Sequence, residues 1–539
     1  MDNTHTQELI SLDGESLTAE AVFRASRDSA FVAISPSSRE KMAASRDMLE
    51  AWVKEGRIMY GITTGFGPFV STLIPPSYQE ELQKNLIRSH AANVGPYFSK
   101  EETRAAMLLR LNAFAKGYSA IRLETADLLL AFLNKGIHPR IPQWGSVGAS
   151  GDLNPSAHIA LSLMGEGEVE YGGNVMTAEA ALSAAHLTPV VFRAKEGLAL
   201  INGTTMMTGV GVLQIADAWA LVRTAEILTA LAIEALKGSR EPFQSFAHLA
   251  KPHPGQIASA ANVDDCLDGS ALAWDKEKLS AIQQNLRTLM NEKNEVVDSG
   301  ISVQAAYTLR ATPQILGAVR DALTYVTERL TTEMNSANDN PLFFTDRSTM
   351  FQGAHFHGQS VSLPLDVLAI SFVEIGNLAE RQLNRLLDPA RSNGLSPFLA
   401  RGRAGLRCGL EGAQYIATSL LAECRALAAP VSIQSISSNG ENQDVVSLGL
   451  VAARKARDIK EKISYILAVL LFALSEALEE QKAEELSPVA GAVLRHVRMS
   501  IRAYDSDRHM SPLLETAKAI VASGSIVTVA EKTLGKKLA

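Results

Sequence analysis

The segment GSVGASGD, residues 145–152, combines residue types that can make an electrophile without a bound cofactor. Gly148 and Gly151 flank Ala149-Ser150, and glycine permits backbone turns too tight for other residues. In such a turn, the amide nitrogen of Gly151 can reach the carbonyl carbon of Ala149. Cyclisation with loss of two waters, one of them taking the Ser150 hydroxyl, would leave an exocyclic methylidene on a five-membered ring. The pattern therefore predicts an electrophilic carbon that no ordinary side chain offers.

The residues that follow this segment are typical of the start of a helix. Asn154 and Pro155 resemble an N-cap and first helical position for PSAHIALSLM. The positive end of that helix would lie near the turn and favour electron density on the ring. Alone, Ala-Ser-Gly is a common tripeptide and could equally be an ordinary turn. A second segment, GITTGFG at 61–67, holds three glycines in seven residues and predicts a loop that can approach a ligand closely.

Seven motifs occur together in a fixed order and make the sequence specific. They are MYGITTGFG, GSVGASGDL, EGLALINGT, AYTLRATPQ, NSANDNP, FHGQ and NQDVVS. With them the chain resembles the aromatic amino acid ammonia-lyases and 2,3-aminomutases, which include histidine, phenylalanine and tyrosine ammonia-lyases and tyrosine and phenylalanine aminomutases. The resemblance implies that Ala149-Ser150-Gly151 forms 4-methylideneimidazol-5-one (MIO) autocatalytically. One departure is Asn154-Pro155-Ser156, where the family commonly has Ala-Pro-Leu, and it keeps a capped helix start.

The resemblance also implies catalytic roles for two tyrosines. Tyr60 corresponds to the base that removes the proton from the substrate β-carbon, a role that a positioned phenol can fill. Tyr307 is placed near the substrate amine and the methylidene. Outside these motifs, a lone tyrosine is more often a half-buried packing residue.

Two further residues are expected to bind the polar end of an amino acid. Arg310 would hold the carboxylate, because a guanidinium offers two parallel donors to two oxygens. Asn202 would hydrogen-bond the carboxylate or the ring oxygen. A surface salt bridge for Arg310 and a plain Asn-Gly turn for Asn202 are the structural alternatives.

His90, in RSHAANVG, is expected at the aromatic end of the substrate, where the family sets ring preference. Histidine can donate to or accept from a phenol hydroxyl, although a core histidine bonded to the backbone is the alternative. Four more residues resemble pocket residues at matching positions: Phe356, Tyr415, Asn442 and Gln443. His355 and His357 flank Phe356, but the spacing is poor for a metal and no third ligand is near, so we predict no metal.

The substrate prediction depends on two positions that differ between subfamilies. His90 resembles histidine-acting and tyrosine-acting members alike. Gln443 occupies the position where histidine lyases have a glutamate, and a neutral amide cannot pair with an imidazolium. Tyrosine is therefore expected to be the best substrate, phenylalanine a weaker one and histidine a poor one.

The fate of the ammonia stays open. An ammonia-lyase, giving an arylacrylate, is the leading interpretation, and a 2,3-aminomutase, giving a β-amino acid, is the alternative because both share the same catalytic residues. A non-enzymatic helical scaffold is disfavoured by the intact Ala149, Ser150, Gly151, Tyr60 and Arg310.

Composition excludes several other classes. The 51 Lys plus Arg and 58 Asp plus Glu give a net charge of −7, without a basic run that could neutralise phosphates, so we predict no nucleic-acid partner. The three cysteines show no ligand spacing and the start has no apolar signal segment, which favours the cytoplasm. The apolar run Tyr465–Leu474 is too short to cross a bilayer, so no membrane partner is predicted.

Apolar periodicity predicts a mainly α protein. Windows of 3.6-residue period cover 203–235, 308–334, 358–387, 409–429 and 444–481. We expect an N-terminal domain, residues 1–202, that carries the MIO loop, followed by a long-helix bundle with C-terminal helices, residues 203–539. A hairpin is expected with Val169 and Tyr171 opposite Val175 across Gly172-Gly173-Asn174, as the only β element of note. The resemblance implies a homotetramer with active sites built from three subunits.

Overall fold

The structure, a computed structural model, describes residues 9–275, 280, 284, 287, 296, 304–402 and 405–539. It is mostly helical, which confirms the expected class. In chain order the described helices are α1 Ala19–Ser26, α2 Pro36–Lys54, α3 Gln79–His90, α4 Lys100–Ala115, α5 Leu123–Lys135, α6 Leu153–Leu163, α7 Ala178–Ala184, α8 Glu196–Ile201, α9 Thr205–Ala235, α10 Ser245–His248, α11 Pro254–Cys266, α12 Tyr307–Arg310, α13 Thr312–Met334, α14 Gln359–Leu387, α15 Glu411–Leu427, α16 Gly449–Leu478, α17 Pro488–Arg498, α18 Ser511–Ala522 and α19 Ser525–Leu534.

Each of the five periodic windows contains one long helix: α9, α13, α14, α15 or α16. The bounds differ by a few residues: α16 begins at Gly449, later than its window, and the one-turn helix α12 precedes α13 in the window that begins at 308. Helices α9 and α14 are long and apolar enough to cross a membrane, but 78% and 72% of their most apolar stretches are buried inside the protein. Burial accounts for their apolar composition, since a helix that is apolar all round also suits a protein interior.

The β structure consists of short strands in small sheets. The strands are β1 Ile10–Leu12, β2 Val32–Ile34, β3 Val94–Tyr97, β4 His138–Pro139, β5 Pro142–Trp144, β6 Glu168–Tyr171, β7 Asn174–Thr177, β8 Leu342–Phe344 and β9 Thr349–Phe351. The expected hairpin is β6–β7, but its register differs from the prediction. Only Gly172 and Gly173 form the turn, so Val175 pairs with Glu170 and Val169 pairs with Met176. The hairpin is also not the only β element of note, since β4 extends it to three strands and three two-stranded sheets are present as well.

The chain forms two compact units that alternate along the sequence. The first comprises Met1–Ala216, Tyr325–Val367 and Pro430–Arg457, and the second comprises Asp217–Thr324, Leu368–Ala429 and Asp458–Ala539. This division differs from the contiguous domains expected at 1–202 and 203–539. The reason is that α9, α13, α14 and α16 each begin in one unit and end in the other, which no local pattern in the sequence reveals.

The first unit has an apolar cluster next to the glycine-rich loop. Its buried members are Leu49, Trp52, Met59, Ile62, Ala120, Ala194 and Phe343. The rings of Trp52 and Phe343 lie 5.9 Å apart between centroids. Because Met59 and Ile62 are both buried in this cluster, they fix the backbone on either side of Tyr60.

The second unit buries an ion pair between Glu226 and Arg320, whose oxygen and nitrogen lie 3.1 Å apart. In this unit α17 packs against α19, and both contact α11. The unit also contains α12 and α15, which carry Tyr307, Arg310 and Tyr415.

Candidate active site

The backbone around Ser150 forms a turn that only glycine permits at two positions. Gly148 and Gly151 have φ angles of 79° and 71°, in the left-handed region that disfavours residues with a Cβ. Space is also lacking, because a Cβ on Gly151 would lie 2.1 Å from the Gly203 carbonyl oxygen and one on Gly148 would lie 2.3 Å from the Ser447 Oγ. Gly151 forms backbone bridges with both Gly148 and Ala149. The turn therefore folds back on itself at the residues that ring closure would join.

The carbonyl oxygen of Ser150 accepts two hydrogen bonds. Asn202 Nδ2 donates at 2.9 Å and the backbone N–H of Gly203 donates at 3.2 Å. Asn202 is only 3% exposed. Two fixed donors on one oxygen form the arrangement that stabilises negative charge developing there. The serine hydroxyl is contacted separately, by Gln443 Nε2 at 3.2 Å.

Two helices begin beside this turn. Helix α6 begins at Leu153 with Asp152 in the N-cap position, two residues before the predicted cap, so Asn154 and Pro155 lie in the first turn instead. A proline is tolerated there because first-turn N–H groups have no partner within the helix. Helix α9 begins at Thr205. The positive ends of both helices therefore lie near Ser150, as predicted for the first of them.

Asp152 joins the two helix starts. Its carboxylate accepts from the Met207 N–H at 2.7 Å and from Ser146 Oγ at 2.9 Å, and its own N–H donates to the Gly203 carbonyl at 2.8 Å. Complete burial raises the pKa of Asp152 to about 7, because the charged form loses its hydration. The residue holds the backbone on both sides of the Ser150–Gly203 contact.

Tyr60 stands at the head of the glycine-rich segment, which forms turns without an α-helix, as expected. The tyrosine oxygen accepts a hydrogen bond from the Gly67 N–H at 3.1 Å, and its ring packs edge-on against Phe66, with centroids 6.4 Å apart. The two contacts fix the position of the phenol oxygen at the head of the loop. This geometry suits a tyrosine that accepts a proton as a base.

His90 is the last residue of α3, and its protonation is defined by a backbone contact. Its Nδ1 lies 2.9 Å from the Leu86 carbonyl oxygen, which can only accept, so Nδ1 carries the proton. Burial lowers the pKa of His90, with the Leu86 contact opposing the shift. The neutral ring therefore leaves Nε2 as a hydrogen-bond acceptor.

One cavity of about 960 Å³ in the first unit brings most of the predicted residues together. Those that line it are Tyr60, His90, Ala149, Ser150, Asn202, Phe356, Asn442 and Gln443. Further polar lining residues that sequence reasoning did not single out are Asn85, Gln352, Asn340, Asn439 and Asp444. Asn340 and Asp444 lie in the NSANDNP and NQDVVS motifs. The motifs therefore indicated these segments of the site, although neither residue was predicted individually.

Three predicted residues belong to the second unit and do not line this cavity. The guanidinium of Arg310 stacks over the Tyr307 ring, 4.4 Å from its centroid. Tyr307 is 71% exposed and Tyr415 is 61% exposed, and the Tyr415 hydroxyl donates to Glu411 at 2.6 Å. One cavity of one chain thus contains the Ser150 turn, Tyr60 and His90, but not the guanidinium expected to bind the carboxylate.

The histidines that flank Phe356 have ordinary contacts. The His355 ring packs on Phe351 with centroids 4.7 Å apart, and His357 Nε2 donates to the Val445 carbonyl at 3.2 Å. Within the described part of the chain, no group of three or more His, Cys, Asp or Glu side chains is arranged to hold a metal ion.

Comparison with known proteins gives concordant matches. A family model described as aromatic amino acid lyase matches residues 17–499. A tyrosine ammonia-lyase from Cupriavidus metallidurans is 45% identical over 522 residues, 96% of this chain and 97% of that protein. A histidine ammonia-lyase from Alkaliphilus metalliredigens is 41% identical over 525 residues, covering 97% and 99%. The crystal structure of a tyrosine aminomutase from Streptomyces globisporus matches with a TM-score of 0.94 and 42% identity, covering 98% and 100%.

Proposed function

The chain belongs to the aromatic amino acid lyase family, and we propose that it is an ammonia-lyase acting on L-tyrosine, and more weakly on L-phenylalanine, to give the arylacrylate and ammonia. The observation that carries the proposal is the Ser150 turn. Its carbonyl oxygen is held by two donors, and it lies in one cavity with Tyr60 and His90. The similar proteins reported above are two ammonia-lyases and one aminomutase.

The residues at the turn fit the MIO group that the resemblance implies. Gly148 and Gly151 permit the fold-back, and the Ser150 hydroxyl faces the cavity beside Gln443. When formed, MIO supplies an electrophilic carbon for the substrate amine. The Ser150 carbonyl oxygen that Asn202 and Gly203 hold would be the ring oxygen, and these two residues would supply donors to it.

Tyr60 takes the proton from the substrate β-carbon, with the Gly67 N–H holding its oxygen in place. Arg310 binds the substrate carboxylate, and Tyr307 lies near the amine. Arg310, Tyr307 and Tyr415 all belong to the second unit, and the two tyrosines are largely exposed. We therefore propose that neighbouring copies of the chain supply these three residues to the site. This proposal agrees with the homotetramer that the family resemblance implies, in which three subunits build each site.

The proposed preference for tyrosine follows from two contacts. His90 Nε2 is an acceptor, and the tyrosine hydroxyl is a donor that phenylalanine lacks. Gln443 offers an amide where an imidazolium substrate would need a carboxylate. Histidine is therefore a poor substrate in this proposal, although histidine ammonia-lyases are similar to the chain.

A tyrosine 2,3-aminomutase is the second candidate, favoured by a contact over the cavity. A Cβ on Gly67 would lie 2.9 Å from Asn439 Nδ2, so the glycine-rich loop packs tightly on the 439–442 segment. A loop that stays closed keeps the arylacrylate bound long enough for ammonia to return to the β-carbon. The similar aminomutase structure is consistent with this alternative.

Product analysis separates these candidates. The purified protein is incubated with L-tyrosine, L-phenylalanine or L-histidine, and products are separated at early times. Coumarate forming first, with equal ammonia, supports the lyase. β-Tyrosine appearing first and in excess shows the mutase, and efficient formation of urocanate from histidine would overturn both.

We further propose that the enzyme works in the cytoplasm without a nucleic-acid or membrane partner. Cys266, Cys408 and Cys424 are free thiols, with Cys266 and Cys424 buried, which agrees with a reducing compartment. The net charge of −7 is unfavourable for binding nucleic acid.

A further inference from the structure

A buried guanidinium lies directly behind the contact between Gly203 and Ser150. Arg110, on α4, is 2% exposed. Its Nη2 lies 3.0 Å from the point that a Cβ on Gly203 would occupy, and it donates to Thr205 Oγ1 at 3.3 Å. Gly203 is the residue whose N–H donates to the Ser150 carbonyl oxygen. Arg110 therefore backs one of the two donors of the proposed ring oxygen without reaching the cavity itself.

The pairing of Arg110 is incomplete. Its Nε and Nη1 are buried and have no hydrogen-bond partner among the residues that the structure describes. Two carboxylates, Asp339 and Asp152, act on it at a distance. Asp339 is already bonded to Lys195 and to Ser119 Oγ. A buried charged group normally has its donors satisfied, so an exception calls for a functional explanation.

Burial lowers the pKa of Arg110 to about 10, opposed by Asp339 and Asp152. The guanidinium consequently stays charged at neutral pH. It sits beside Thr205, the first residue of α9, where the helix N-terminus already carries partial positive charge. The guanidinium and the helix N-terminus repel each other, which disfavours folding. Both, however, favour negative charge on the Ser150 carbonyl oxygen.

We propose that Arg110 is a positioning residue that strengthens the electrophile, because its positive charge behind Gly203 favours electron density on the ring oxygen. The inference rests on the proposed function, since it needs the ring to form from Ala149-Ser150-Gly151. It adds a residue that does not contact substrate and that acts through the Gly203 amide.

The test measures the strength of the electrophile apart from turnover. Cyanide is titrated into the purified holoenzyme, and its addition to the methylidene is followed by near-ultraviolet difference absorbance. The titration gives the association constant of the cyanide adduct, called the adduct constant below. Arg110→Met removes the charge with similar bulk. Arg104→Met is the matched control, because Arg104 is also on α4, is 1% exposed and has no acidic partner among the described residues. Its guanidinium donates to the carbonyls of Ala25 and Leu133 instead.

Arg110→Met is expected to form the ring but to bind cyanide at least about tenfold more weakly, as loss of a nearby charge in a buried site predicts. Arg104→Met should keep the wild-type adduct constant even if it is less stable. Equal adduct constants for the two methionine variants would overturn the role of Arg110.

Arg110→Lys covers the case in which the methionine variant forms no ring. Lysine keeps a charge but can lose its proton when buried. The association constant for cyanide of this variant, divided by that of the wild type, should therefore fall as pH rises. The other ionisable groups that face this position are Asp152, Asp339 and Lys195. A ratio to wild type that stays constant with pH would overturn the proposal. If wild-type protein shows no difference band, the proposed function fails together with this inference, whereas a wild-type band with equal variants removes the inference alone.

Discussion

Ser150 contributes two oxygens to the site, and their surroundings differ. The hydroxyl receives one hydrogen bond, from Gln443, and lies in the cavity. The carbonyl oxygen receives two, from Asn202 and Gly203, on the side where Arg110 is buried. The hydroxyl oxygen is thus accessible for removal. The carbonyl oxygen is held by hydrogen bonds that become stronger as negative charge develops on it.

Replacing Ser150 with alanine should abolish activity and leave the fold intact. The substitution removes the oxygen whose loss creates the methylidene, and it costs the protein only the Gln443 contact. Turnover of tyrosine should fall well below a tenth of wild type, and the near-ultraviolet difference band with cyanide should vanish. Circular dichroism and gel filtration serve as controls for folding. Retention of a tenth of the activity would mean that this electrophile is not the catalytic one.

His90→Phe should reverse the preference between tyrosine and phenylalanine. The neutral acceptor Nε2 is lost and an apolar ring replaces it, so kcat/KM for tyrosine should fall by about tenfold or more while that for phenylalanine rises. His186→Phe is a suitable control, because it makes the same substitution at an exposed histidine that does not line the cavity. An unchanged ratio of the two kcat/KM values would show that His90 does not contact the substrate ring.

The sequence predicted the residues that face the cavity better than those behind it. Tyr60, Ser150 and Asn202 lie in motifs whose composition is unusual for a plain turn or helix. Arg110 lies in the apolar helix sequence MLLRLNAFA and has no such signal. Its significance depends on the approach of Gly203, a contact across more than ninety positions of the chain.

Among the elements, helix length was predictable and helix starts were less so. The five long helices repeat an apolar period many times, so their existence is strongly encoded. At α6 the cap is Asp152 and not Asn154, because Asp152 is fixed by Met207 and Ser146. The parallel pair β1 and β2 has three residues per strand, too few for a period to be recognised, and a helix separates them.

The packing of β4 against α4 makes part of the first unit sensitive to acid. His138 on β4 is 5% exposed, and its Nε2 accepts from Arg104 Nη1 at 3.1 Å. Burial, and then the charges of Arg104 and Lys100, lower the pKa of His138 to about 3. Because the folded pKa lies below that of the unfolded chain, about 6.5, this contribution to stability is complete above pH 6.5 and is lost as pH falls towards 3.

His138→Gln should therefore reduce the acid sensitivity of the protein. Glutamine keeps an oxygen that can accept from Arg104 but cannot take up a proton. The fall in melting temperature between pH 7 and pH 5 should be smaller than in wild type by about 2–4 °C, measured by scanning calorimetry. His186→Gln is the control, since His186 has no side-chain contact with Arg104. Equal slopes for wild type and His138→Gln would show that His138 is not buried as a neutral group.

At the scale of the whole molecule, the predicted site residues divide between the two units. Ser150, Tyr60 and His90 line one cavity of the first unit, whereas Arg310 and Tyr307 belong to the second. A site that needs both groups can be completed by a neighbouring copy, in keeping with the proposed tetramer. That arrangement has a consequence for mixtures of inactive variants, because two chains with different defects can form an intact site.

Coexpressed Ser150→Ala and Arg310→Gln chains should regain activity that neither has alone. If each site takes Ser150 from one chain and Arg310 from another, random mixing leaves about a quarter of the sites intact. The mixed tetramers are isolated with two different affinity tags, and turnover of tyrosine is compared with that of each single variant. Ser150→Ala mixed with Tyr60→Phe is the matched control, because both residues line the cavity of one chain and no mixture can unite their intact forms. Since the control has the same tags, subunits and number of defects, it isolates the effect of sharing Arg310 between chains. Activity in the first mixture alone would establish shared sites, whereas two inactive mixtures would place Arg310 and Ser150 of each site in the same chain.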